Sequence, residues 1–410
     1  MPTRFGVNHR DGNWEDTTAR QWMIDTGARF IRTSVAWRDC QPNKDGPISF
    51  SPALDATMQS YIDAGLSPVV LVWKAPPDVT SSTSGDGPYD LIGGNPYYMA
   101  RFMAALVAHY PQVLWWQMYN EPDRIADTDD DGGWGVSLGT ASQYARMLAA
   151  VWDSVHLANP AAHVVFGGVA ADNPAIFNVN KNYPTVRDFV SQCLYYMQQN
   201  PDDYFDYFCL HYYPTYAANW DTPYNKLLSA KITHYRQRLA YYGFNKLFVV
   251  TESGKRSTGG NQPSIDAQVV YLWKYNAQAA REGCVFNVLF SMSDIATDQS
   301  PTGWGILSKI GGVFAKKKSY DGYRAAIATL ADWTYVERLW GTAIEGHVFT
   351  KDGLYQTVVW TINPDVASVV NLSSPVTIGT MFGIETEVSG AVPVQAPCYF
   401  KTRLTLANFG

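Results

Sequence analysis

The chain has 410 residues, 46% of them hydrophobic and 17% charged, which is enough apolar material for a large core and too little charge for a disordered polymer. Lys and Arg total 31 against 37 Asp and Glu, with no basic run to neutralise a phosphate backbone, so no nucleic-acid partner is expected. The 14 Trp and 26 Tyr exceed what a core needs, and a ring with a polar tip suits a ligand surface.

The opening MPTRFGVNHR lacks an apolar h-region, and no window reaches 18 uninterrupted apolar residues. The chain is therefore expected to be cytoplasmic, or secreted with its leader removed, and to have no membrane partner. Cys40, Cys193, Cys209, Cys284 and Cys398 form no CxxC pair and read as buried thiols.

From the start to about residue 330, short β-branched or aromatic runs alternate with longer amphipathic stretches. The strand candidates are 4–8, 30–37, 67–73, 113–120, 163–170, 205–213, 246–252 and 285–291. Helix-like segments lie between them at 16–26, 52–64, 96–109, 142–158, 186–199, 225–242 and 264–282. Eight strands in this alternation predict an α/β fold, a closed (β/α)8 TIM barrel. After 321–330 the pattern changes to short alternating strands at 335–339, 347–350, 354–361, 367–372, 384–388 and 398–406, separated by turn signals such as Asn363-Pro364. The expected domains are a barrel over 1–334 and a small, sandwich-like all-β domain over 335–410, packed on the barrel because no linker precedes it.

In such a barrel the carboxyl ends of the strands form the active face. Glu121 ends the fourth strand in Trp115-Trp116-Gln117-Met118-Tyr119-Asn120-Glu121-Pro122, and Glu252 ends the seventh in Phe248-Val249-Val250-Thr251-Glu252-Ser253-Gly254. A carboxylate after an apolar strand costs desolvation unless something pairs or uses it. Strands four and seven face each other across the mouth, so the two carboxylates can flank one bond, as hydrolysis of a glycosidic bond requires. An ionised Glu252 would keep Glu121 protonated as the acid. The competing reading makes Glu121 a cap and Glu252 the partner of an arginine such as Arg32.

With these motifs the sequence resembles the clan A retaining glycoside hydrolases, in which the acid/base follows Asn at the end of strand four and the nucleophile ends strand seven. Asn120-Glu121-Pro122 and Thr251-Glu252 match. The trailing Lys316–Tyr323 segment and the β domain look most like family 39 and its exopolysaccharide-cleaving relatives. The resemblance implies a retaining enzyme acting on a β-linked glycan, with Glu121 as acid/base and Glu252 as nucleophile. It further implies that Arg32 orients the nucleophile, that His211 and Tyr213 form the strand-six pair, and that Trp304 is a sugar platform. Asn120 would bind the sugar 2-hydroxyl, and Trp37, Trp73, Asn8 and His9 stand at strand ends where sugar contacts are expected. Each aromatic has a bland alternative in the core or a lid.

Asp127, Asp129 and Asp131 have calcium-loop spacing, but Leu138 stands where an EF-hand needs a glutamate; a solvated acidic lid is the other reading. Phosphate-binding glycine loops and a strand-one His-x-His are absent, so no organic cofactor and no catalytic metal are expected. A carbohydrate-binding barrel without catalysis and a transglycosylase remain the alternatives to hydrolysis.

Overall fold

The computed structural model describes residues 4–9, 13–79, 95–123, 140–170, 189–213, 227–257, 264–294, 296–297, 300–301, 303–362 and 368–409. The acidic motif at Asp127, Asp129 and Asp131 lies outside them. Eight strands close a barrel in sequence order: β1 (Arg4–Asn8), β2 (Phe30–Ala36), β3 (Ser67–Trp73), β4 (Trp115–Met118), β5 (His163–Val165), β6 (Tyr207–Tyr212), β7 (Leu247–Ser253) and β8 (Phe286–Leu289). Around them run α1 (Thr17–Asp25), the short α2 (Trp37–Cys40), α3 (Pro52–Asp63), α4 (Tyr97–His109), α5 (Thr140–Ala158), α6 (Phe189–Gln199), α7 (Leu227–Tyr241) and α8 (Ile265–Arg281). Helix starts follow local chemistry: Asp16, Ser51 and Ser264 each accept from a backbone N–H in the first turn, and Pro52 occupies the first turn of α3, where a missing N–H costs nothing. Among the described residues no helix is long and apolar enough to cross a membrane.

The chain gathers into two compact units, Met1–Ala28 with Tyr213–Ile232 and Ser253–Gly410, and Arg29–Tyr212 with Thr233–Glu252. In the second unit β2, β3, β4 and β5 pair in parallel, with Arg32 opposite Val69 and Val72 opposite Met118. Trp116, Phe166 and Phe208 fill its interior, the two phenylalanines stacking at 5.1 Å.

In the first unit β1 pairs with β8, and two small hairpins follow, β9–β10 (Ala296–Thr297, Ser300–Pro301) and β11–β12 (Leu307–Ile310, Val313–Lys316). After α9 (Lys318–Leu330) come β13 (Thr334–Trp340), β14 (Ile344–Lys351), β15 (Leu354–Thr361), β16 (Ser368–Thr380), β17 (Glu385–Val394) and β18 (Cys398–Phe400). They form one antiparallel sheet in the order β13-β14-β15-β18-β16-β17. Leu339 of one edge strand and Val392 of the other belong to the same apolar cluster with Val348, Val359, Val370 and Phe400, so a single sheet encloses its own core. It also packs on α8 and α9: Trp273 Nε1 donates to Met381 O at 2.9 Å and its ring stacks on Tyr399, while Gln356 donates to Thr329 O. Of the tryptophans here, Trp360 is buried, whereas Trp340 is exposed under the Arg338 guanidinium.

Candidate active site

The candidate site is built from strand ends of the second unit. Arg32, on β2 and 4% exposed, spreads its guanidinium over three acceptors. Nε donates to Gln117 Oε1 at 3.0 Å, Nη2 to Asn120 Oδ1 at 2.8 Å, and Nη1 to Glu252 Oε1. A planar five-donor fork suits this distribution in a way an ammonium does not. Gln117 is fixed at its other end too, its Nε2 donating to Tyr119 O.

Beyond β4 the backbone turns sharply. Tyr119 (φ 62°) and Glu121 (φ 45°) both occupy the left-handed region, which costs a residue with a side chain about 1–2 kcal/mol. Surrounding contacts impose this shape: Tyr144 Oη donates to Met118 O at 2.9 Å, Ala170 N donates to Asp123 Oδ1 at 2.9 Å, and Asn120 bridges to Gly168. Gly167 and Gly168 are required by space. A Cβ at 167 would lie 2.6 Å from Met118 O, and one at 168 would lie 2.0 Å from His211 Nε2.

His211, on β6 and 1% exposed, stands between the two glutamates. Its Nδ1 is 2.8 Å from Glu121 Oε1 and 3.6 Å from Glu252 Oε2. Its Nε2 is 3.0 Å from Thr251 Oγ1, which in turn is 3.0 Å from Cys209 Sγ. Burial pushes the Cys209 thiol up to about 12, so it stays protonated. The closest donor atoms of Glu121, His211 and Glu252 lie within 4.8 Å of one another. Two carboxylate charges at that spacing repel by about 3 kcal/mol at an effective dielectric of about 20, and the Arg32 guanidinium offsets part of this.

The same three side chains are close enough to grip a cation. Arg32 argues against that use, because it already neutralises Glu252 and would set a second fixed positive charge beside the ion.

The structure thus brings together Glu121, Glu252, Arg32, Asn120 and His211. Trp37 does not join them. The second strand ends at Ala36, and Trp37 opens α2 with its indole fully buried, stacked on Phe102 at 5.4 Å and donating to Gln41 Oε1; it is a core residue with no face for a sugar. Trp73 is half-buried with the Lys74 ammonium 4.5 Å from its ring. In the first unit, Tyr213 meets Trp304 edge to face at 5.1 Å, and Arg256 lies 4.8 Å from the indole. Only 6% of Trp304 is exposed, an edge rather than an open platform. Its loop is held by Gln268, whose Nε2 reaches Lys255 O, Gly303 O, Trp304 O and Gly305 O. Also in this unit, His9 pairs with Glu15 and Asn8 is buried. Sequence reasoning gave no part in the site to Gln117 or Gly168, read Cys209 only as a buried thiol and Thr251 only as the neighbour of Glu252; of these, Gln117 carried a signal, a lone amide inside an apolar strand.

No protein-family model and no curated protein matches the chain. Solved structures do. A family 39 glycoside hydrolase from Bacteroides cellulosilyticus WH2 superposes with a TM-score of 0.71 at 18% identity, over 98% of this chain and 81% of that one. A monomeric beta-xylosidase from Caulobacter crescentus CB15 gives 0.59 at 13% identity over 98% and 96%. A family 30 endoxylanase from Clostridium papyrosolvens C71 gives 0.61 at 14% identity over 98% and 96%. The structural neighbours are thus clan A glycoside hydrolases of families 39 and 30, and at these identities the likeness establishes the fold, a TIM barrel with an added β domain.

Proposed function

We propose that the chain is a retaining glycoside hydrolase acting on β-glycosidic bonds of an oligo- or polysaccharide. The observation that carries this reading is the pair of glutamate oxygens within 4.8 Å. Retaining pairs stand about 5–5.5 Å apart, whereas inverting pairs leave about 6.5–9.5 Å for a water. An arginine partner alone would explain Glu252 as a structural ion pair; it leaves a second carboxylate at the same point unexplained.

In the first step Glu252 attacks the anomeric carbon and the glycosidic C–O bond breaks. Its electron pair goes to the leaving oxygen, which takes the proton of Glu121. In the second step water attacks the glycosyl ester, gives its proton to Glu121, and the Glu252 carboxylate leaves. Arg32 holds Glu252 in line and favours its ionised form. Asn120, its Oδ1 turned to Arg32, offers an amide nitrogen to the sugar 2-hydroxyl. Tyr213, Trp304 and Trp73 enter the proposal on their sequence positions alone, as sugar contacts.

The test is proton NMR of the anomeric signals while a panel of β-linked glycans is digested, with Glu252→Gln beside the wild type. First release of the β-anomer, by wild type only, is the expected result. An α-anomer released first means inversion and removes Glu252 from its role, while glycan binding without cleavage favours the binding-only barrel.

A further inference from the structure

We propose that Thr251 and Cys209 lock His211 in the tautomer protonated on Nδ1, which leaves Oε2 of Glu121 as the oxygen that carries the transferable proton. The lock itself follows from geometry; its catalytic consequence rests on the glycosidase reading above.

His211 Nδ1 faces Oε1 of Glu121 at 2.8 Å and Oε2 of Glu252 at 3.6 Å. Glu252, ionised as the nucleophile, and Glu121, once it has given up its proton, only accept, so an unprotonated Nδ1 would then set lone pair against lone pair. On the other side, Thr251 Oγ1 touches both Cys209 Sγ and His211 Nε2 at 3.0 Å. The buried, protonated thiol has two acceptors in reach, Leu210 O at 3.8 Å and Thr251 Oγ1 at 3.0 Å; when it gives its S–H to the nearer one, the hydroxyl proton points at Nε2 and makes that nitrogen the acceptor. The ring cannot relieve this by flipping, because a flip puts carbon atoms against Glu121 and Thr251. The Nε2 edge also lies close against Gly168, where a Cβ would stand only 2.0 Å from Nε2.

The consequence is positional. With Nδ1–H always donated to Oε1, that oxygen of Glu121 is an acceptor in both protonation states, and the acid proton sits on Oε2. The leaving oxygen in the first step and the water in the second therefore meet the same atom. A protonated Nε2 would instead draw the Glu121 proton to Oε1, toward the imidazole and away from the substrate.

The tautomer is read without substrate, by long-range proton–nitrogen NMR on imidazole-labelled protein near neutral pH, with His211 assigned by its loss in His211→Gln. The wild type should show Nδ1 protonated and Nε2 bare. Thr251→Val, the same shape without the hydroxyl, should lose that preference, and Thr251→Ser should restore it. Cys209→Ala, a gentler change, should give mixed tautomers. A protonated Nε2 or an imidazolium in the wild type overturns the proposal, as do unchanged signals in both Thr251→Val and Cys209→Ala. In turnover, Thr251→Val should slow substrates with poor leaving groups about tenfold or more and spare an activated aryl glycoside that needs no acid. Equal loss on both would mark a merely structural role and overturn the positional part. If the tautomer is as stated and no glycan is cleaved, the glycosidase reading fails alone.

Discussion

Arg32 Nη2 donates to Asn120 Oδ1 across 2.8 Å, and in the proposed reaction this bond sets which end of the amide a sugar would meet. Asn120→Ala is therefore expected to lower kcat/KM by about 100-fold, ~2.7 kcal/mol, on a substrate carrying a 2-hydroxyl. The same variant should leave a 2-deoxy substrate nearly unaffected. An equal loss on both substrates would show that Asn120 acts through the backbone turn and not through the sugar.

Removing Arg32 strands a buried carboxylate. Arg32→Met should destabilise the protein by about 3–5 kcal/mol in urea unfolding, because buried Glu252 loses its guanidinium counter-charge. Adding Glu252→Gln should recover much of that loss. Simple additivity of the two changes would contradict the pairing described here.

Gly168→Ala places a methyl group where the imidazole of His211 now lies. His211 or the β5 end must move, at about 1–3 kcal/mol, and the bonds from Nδ1 to Glu121 and from Nε2 to Thr251 cannot both survive. Activity should fall much further than the melting temperature suggests, and a crystal structure of the variant would show the displaced ring.

The C-terminal sheet should weaken in acid. Glu345 is fully buried and accepts from His347 Nε2 at 3.0 Å, from Arg338 Nε at 2.8 Å and from Trp360 Nε1 at 3.2 Å. Burial is the largest influence on its carboxyl and pushes it up, but His347 and Arg338 together outweigh it and hold it below the usual range. For His347, burial is again largest and drives the imidazole below its ordinary value, with Glu345 opposing; among the described residues its Nδ1 has no partner to receive a proton's hydrogen bond. Both folded values are depressed, so both contribute stability at neutral pH that disappears as the pH falls. The loss begins near about pH 6.5, where the unfolded histidine takes its proton first, and deepens below about pH 4.3 as the unfolded carboxyl does. Calorimetry should show the melting temperature dropping between pH 7.5 and 5.5, and His347→Gln should flatten that part of the curve. A wild-type melting temperature that rises over this interval would contradict the assignment.

The two glutamates were legible because each ends an otherwise apolar strand, where a carboxylate is conspicuous. Arg32 and His211 came instead from the resemblance to the clan A enzymes, which supplied their positions on strands two and six. Trp37 misled because strand β2 stops one residue early and the indole turns inward; periodicity does not report a one-residue difference. The strands predicted at 367–372 and 384–388 proved far longer, β16 and β17. Ser373-Ser374-Pro375 reads as a turn, yet the register shift between Leu372 and Val376 absorbs it within the strand. Pro393 is tolerated because β17 is an edge strand. The contacts of Thr251, Cys209 and Gly168 around His211 were not legible, because they are defined only by what touches the imidazole.

Helix α8 is buried along most of its length, from Gln268 to Ala280, with Trp273 committed to Met381 and Tyr399 of the sheet. It has no solvent side to fall back on. Cutting the chain after residue 334 would therefore leave the Trp273 indole without Met381 and Tyr399 and expose apolar surface that the sheet now covers. The sheet and the helices it covers should melt in a single calorimetric transition, which makes the terminal residues as indispensable to an engineer as the core of the first unit.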